Sequence, residues 1–206
     1  MAYTGLNKRL AVAEKPLGHM DAMPISIPDL RVFEWLGNDS KGVPYYLHAL
    51  NLVWSDAGVE HDLELYRRVA DRLAGNPAYW AEIIRDAAWR HSLAGCTCLL
   101  ASRRHEFFDD LCHRFRAGSF VAPQIAVALG LLHGSAARSF FESVLDEPTL
   151  RSRPKQAVSA HCALLRLGER PAHEISAEGW RDFEHDDAMV ADQVMTAHWD
   201  LWSVRV

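Results

Sequence analysis

Cys96-x-Cys98, Cys112-His113 and His161-Cys162 carry the donor types of a zinc site, thiolate sulfur and imidazole nitrogen. Spacing argues against one. Cys96 and Cys98 fall in a helical stretch, where residues i and i+2 point about 200 degrees apart and do not share a ligand. All four cysteines sit among apolar neighbours, which suits reduced, buried thiols and a cytoplasmic setting better than a disulfide framework. The chain has 11 histidines, and His105, His113, His133, His161 and His173 are scattered through different segments. None stands in a nucleophile-elbow or metalloprotease spacing, and the glycines lie at helix ends, not in a phosphate-binding loop. The expectation is no metal, no cofactor and no catalytic residue.

The charged side chains divide into two groups. Arg103-Arg104-His105 with Arg114 and Arg116 offers contacts to phosphate, but Glu106, Asp109 and Asp110 interrupt it. Pairs at i and i+4, such as Asp110 with Arg114, read as a solvated helix face. A net charge of −5 and a pI near 6.1 speak against a nucleic-acid partner. Between positions 169 and 200, nine acids face two bases, a local balance of −7. Uncompensated like charge costs stability, so such a cluster points to a basic partner that it steers, or to a helix start that anions favour. Aromatic residues inside a charged rim are the composition of a binding hot spot. The expected partner-binding residues are therefore Glu178, Trp180, Asp182, Glu184, Asp186, Asp187 and Trp199. The competing reading has Trp180, Phe183, Trp199 and Trp202 sealing the last helix pair.

Helices must position all of these groups. In residues 120–148, Ile125, Ala128, Leu129 and Leu132 recur at i, i+3, i+4 and i+7, the apolar stripe of one helix. His133-Gly134-Ser135 breaks it, with Ser135 as the next N-cap, and Ala137, Phe140, Phe141, Val144 and Leu145 form a second stripe that Pro148 ends. A shift of about 33 residues, the repeat length of helical arrays, carries Leu131-Leu132 onto Leu164-Leu165 and back onto Leu99-Leu100. Phe107-Phe108 with Leu111-Cys112 likewise matches Phe140-Phe141 with Val144-Leu145. The same periodicity predicts helices near 45–53, 60–74, 77–90, 90–102, 105–116, 154–167 and 187–199, with Asn76-Pro77 as an N-cap and first-turn proline. No strand-like alternation appears. Residues 1–43, punctuated by proline and glycine, read as an N-terminal capping segment with a short helix near 29–36. Residues 44–206 read as one helical domain. With 206 residues and 49% hydrophobic content the chain can bury a core unaided. It lacks the run of about 20 apolar residues that a membrane span needs, so a soluble protein is expected.

Residues 124–137, QIAVALGLLHGSAA, and 156–169, QAVSAHCALLRLGE, resemble the unit of the HEAT-like repeat superfamily, including its short phycobilisome-lyase type. The unit is an alanine-rich helix, leucines, a small loop and a second helix. Two departures are visible: the inter-helix Asp is missing from His133-Gly134-Ser135, and Pro171 removes the second helix of the third unit. The stretch from Ala87 to His91 also resembles small bacterial proteins akin to helical immunity proteins that accompany secreted toxins. The repeat resemblance implies an all-α superhelix, a HEAT-like solenoid, that works as a non-catalytic protein-binding scaffold and names no partner; the second resemblance implies an immunity protein that neutralises a cognate toxin, and a basic toxin would suit the acidic end. The alternative is a small helical hydrolase or lyase using histidines with the C-terminal carboxylates as acid and base.

Overall fold

The computed structural model describes residues 31–172, 175 and 183–206, with side chains in the last stretch from 187 onward. The described residues form ten α-helices and no named strand. They are α1 (Arg31–Leu36), α2 (Tyr45–Asn51), α3 (Val59–Ala74), α4 (Pro77–Arg85) and α5 (Trp89–Ser102), then α6 (Phe108–Ala117), α7 (Ala122–Asp146), α8 (Pro148–Arg151), α9 (Pro154–Arg166) and α10 (Phe183–Ser203). None of these helices is long and apolar enough to cross a membrane.

Local chemistry sets most boundaries. Proline stands in the first turn of α4, α7, α8 and α9, where its missing N–H removes no helical hydrogen bond. Asn76 caps α4 by accepting from the Tyr79 N–H at 3.2 Å. α7 is interrupted at one residue, Gly134, whose φ of 46° and ψ of −108° lie outside the helical region. A side chain is disfavoured there, so glycine allows the two predicted helices to abut without a longer loop.

Four boundaries differ from expectation. The helix predicted over 77–90 ends at Arg85. The helix predicted from 105 begins at Phe108, because Phe107 takes the left-handed region at φ 68°. Pro148 opens the short α8 instead of only ending its predecessor. The C-terminal helix starts at Phe183.

Two segments form the centre. In α5, every residue from His91 to Ala101 is buried, and in α7 every residue from Ala122 to Gly130. A helix that is apolar all round must be packed on all sides, and α5 touches α2, α3, α4 and α7. The helices carrying the leucine doublets pack in sequence, α5 on α7 and α7 on α9. α6 meets the second half of α7 through Phe115, whose ring lies 5.7 Å from Phe140 and 5.9 Å from Phe141. Fully buried Leu93, Leu99, Ile125 and Leu129 each contribute about 1.5–3 kcal/mol.

The described part of the expected capping segment shares this core: α1 buries Val32 and Leu36 and packs on α2 and α3. α10 closes the other end against α7 and α9. The C-terminal end also reaches back to α2 and α3. His198 Nε2–H donates to the Leu50 carbonyl at 3.3 Å, and Arg205 stands 3.9 Å from Glu60. These contacts join the C-terminal end with α2 and α3, helices far from it in chain order.

Candidate protein-binding edge

Across the starts of α5 and α7 runs a row of four aromatic rings. Phe33 of α1 lies 5.3 Å from Tyr46 of α2, Tyr46 6.1 Å from Trp89 at the start of α5, and Trp89 5.5 Å from Phe120 just before α7. These separations and tilted or edge geometries are those of favourable aromatic pairs. The first three rings are half-buried, whereas Phe120 is 48% exposed.

Hydrogen bonds in the adjoining loops fix the row. Asp86 Oδ1 accepts from the Ala88 N–H at 2.6 Å, shaping the turn that delivers Trp89. Arg114, 5% exposed, ties that turn to the next loop. Its guanidinium donates to the Ala87 carbonyl at 3.0 Å, the Ser92 hydroxyl at 3.0 Å and the Gly118 carbonyl at 2.6 Å. One planar fork thus sets the residues before Trp89 and Phe120 relative to each other. Burial lowers the Arg114 pKa, while Asp86 nearby opposes that effect.

Cations border the row. The Arg90 guanidinium lies 4.5 Å from the Trp89 ring centre, and Lys155 Nζ 4.6 Å from that of Phe120. Lys155 also pairs with Asp187 of α10 at 3.1 Å. The aromatic row therefore ends beside Asp187, one carboxylate of the acid-rich C-terminal segment.

The expected partner-binding residues divide accordingly. Glu178, Trp180 and Asp182 lie outside the described residues. Glu184 and Asp186 belong to α10, and Asp187 reaches the edge through Lys155. Trp199 does not belong to an exposed surface. It is 6% exposed and packs over Gly130, where an added Cβ would come within 2.5 Å of the indole. Trp202, 2% exposed, is also in the core. Trp199 and Trp202 thus seal the last helix into the molecule.

The other candidate groups have structural surroundings. The expected Asp110–Arg114 pair is absent because Arg114 turns inward and Asp110 pairs instead with Arg85. Arg104 and Arg116 make ion pairs with Asp71, Glu106 and Glu147. Cys96 and Cys98 are buried, free thiols, and burial pushes the Cys96 pKa up to about 12. Cys162, raised to about 12 by burial and by Asp192, donates its thiol to that carboxylate at 3.1 Å. His48 faces the Asp39 carboxylate at 3.1 Å and the Val53 carbonyl, joining two loops. His198, next to the Gln124 amide at 3.4 Å, has its pKa lowered to about 4 by burial. Among the described residues, no three His, Cys, Asp or Glu side chains gather as a metal site.

Sequence reading missed the row because its members are far apart in the chain and each fits an apolar stripe by itself. Trp89 directly before Arg90, at a helix start, is the one local signal: an amphipathic aromatic beside a cation where the backbone enters from solvent. No family model, curated protein or solved structure matches the chain.

Proposed function

We propose that the chain is a non-catalytic protein-binding module of HEAT-like type, acting as an immunity protein that binds and neutralises a cognate basic toxin. The observation that carries this reading is the partly buried aromatic row, ending at the half-exposed Phe120 and joined to Asp187 of α10 through Lys155. Rigid aromatics supply contact area at low entropic cost, and a charged rim steers the encounter. The packing of the doublet-bearing helices α5, α7 and α9 in sequence supports the repeat-like organisation. Blocking a toxin's active site needs no chemistry from this chain.

The test is an affinity capture from native lysate, with a variant carrying Glu178→Ala, Asp182→Asn, Asp186→Asn and Asp187→Asn in parallel. A single stoichiometric basic protein held by the native chain, lost with the variant, and toxic when expressed without this chain, is the expected result. Absence of any partner, or equal capture by the variant, would contradict the role given to the acidic end.

A further inference from the structure

α5, α7 and α9 pack in sequence and begin at the edge that the aromatic row crosses, with Lys155 in the first turn of α9 over Phe120. None of the three starts has a side-chain cap. A helix start carries partial positive charge on its unshared N–H groups, so the edge is electropositive before any side chain is counted. Side chains add to it. Asp86, Glu147 and Asp187 border the edge but are matched by Arg114, Arg116 and Lys155. Arg90 and Arg153 are exposed and pair with no carboxylate among the described residues. Arg90 lies over the Trp89 ring, which leaves the N–H groups in its plane open to a carboxylate. Arg153 Nη1 donates to the Arg116 carbonyl at 3.0 Å. Beside it, Gln156 is 6% exposed, and its amide forms no hydrogen bond among the described residues. Gln156 Nε2 and Arg153 Nη1 both flank Gly118, at 3.1 and 3.4 Å from where a Cβ would stand. A buried amide without a partner calls for one, and Gly118, two residues before Phe120, leaves the space against it free of a side chain. Stacking on the rings accounts for the place of Arg90 and Lys155. It does not account for two exposed guanidinium groups without an acid in a chain of net charge −5.

We propose that this edge seats an acidic peptide segment of the partner, with an apolar side chain against Phe120 and Trp89 and carboxylates on Arg90 and Arg153. This assignment rests on the protein-binding reading above and adds the chemistry of the bound segment. Charge complementarity selects the occupant: a basic segment would meet two unpaired guanidinium groups and three helix starts of its own sign. Phe120, 48% exposed, supplies the apolar contact between Trp89 on one side and Lys155 on the other. Carboxylates that meet a guanidinium in two parallel hydrogen bonds gain geometric specificity as well as energy. A toxin basic as a whole carries acidic segments too. One seated here, while basic surface faces the acidic C-terminal segment, would hold the partner in a single orientation.

Selection of a random-peptide phage library on the immobilised full chain tests it, with Phe120→Ser and the double variant Arg90→Gln, Arg153→Gln in parallel. The substituted positions are exposed, and unchanged melting temperatures confirm the folds. Enriched peptides are synthesised and their affinities measured by fluorescence anisotropy. The expected peptides place Asp or Glu beside an apolar residue and require Phe120. They bind the arginine variant about tenfold or more weakly than the native chain, and weaken as salt is raised. Peptides that require Phe120 yet lack acidic residues, or bind the arginine variant as tightly as the native chain, overturn the acidic assignment and leave the row as a binding edge. Absence of any peptide that requires Phe120 overturns both.

Discussion

The centre of α5 and α7 and the edge that crosses their starts are made of similar apolar and aromatic residues, and they differ in what those residues touch. In the centre, eleven consecutive residues of α5 and nine of α7 are buried, and Trp199 closes over a glycine that leaves no room for a methyl group. At the edge, aromatic rings touch one another and two cations, and Phe120 keeps nearly half its surface in water. Packing explains the first set completely. The second leans Phe33, Tyr46 and Trp89 partly on that core and leaves Phe120, in the loop before α7, with about half its surface open. The difference separates residues that make the fold from residues the fold presents.

Substitutions should divide along the same line. Trp199→Ala is expected to cost about 3–5 kcal/mol in urea unfolding, the range for truncating a large buried aromatic. A cost below about 1 kcal/mol would move Trp199 out of the core and restore it as a partner anchor. The pH dependence of α10 comes next. His198 is neutral in the folded protein, with its pKa depressed to about 4. Its stabilising contribution is fully present above the unfolded value of about 6.5 and is lost as pH falls from there to about 4, up to about 3 kcal/mol in all. Comparing the pH profiles of native protein and His198→Gln isolates that slope, and identical profiles would refute the buried neutral state. Arg114→Met leaves two carbonyls and a hydroxyl without their donor and should cost about 2–3 kcal/mol, with a change in tryptophan fluorescence as Trp89 loses its turn. A stability loss without that change would show that Arg114 does not position the row. Phe120→Ser should cost about 1 kcal/mol or less, since half its surface is already wet, while abolishing partner capture. Arg104→Ala, which removes two solvent-facing ion pairs, should change stability by only tenths of a kcal/mol.

The helical periodicity that locates the elements is a local property, so most helices were legible from spacing alone. Leu63, Tyr66, Ala70 and Leu73 recur at helical spacing within the predicted helix near 60–74 and are buried, and Asn76 caps α4 as its position before proline requires. α8 was not legible, because a single turn between two prolines shows no periodicity. Arg114 was misread for a related reason. At i+4 from an acid it fits a surface pair, and only tertiary structure shows carbonyls converging on it from two loops. The candidate site was legible at one end only. The acidic segment stands out in composition, whereas the aromatic row joins four elements that only folding brings together. The same holds for the return of α10 to α2 and α3, a contact between residues 148 positions apart.

The most direct test of the division between core and edge is amide hydrogen exchange on the chain alone and in complex with its captured partner. The account predicts new protection at residues 86–90, at 118–121 and at the start of α10, with the slow amides at the centre of α5 and α7 unchanged. Protection confined to other surfaces, with these loops exchanging as in the free chain, would contradict it.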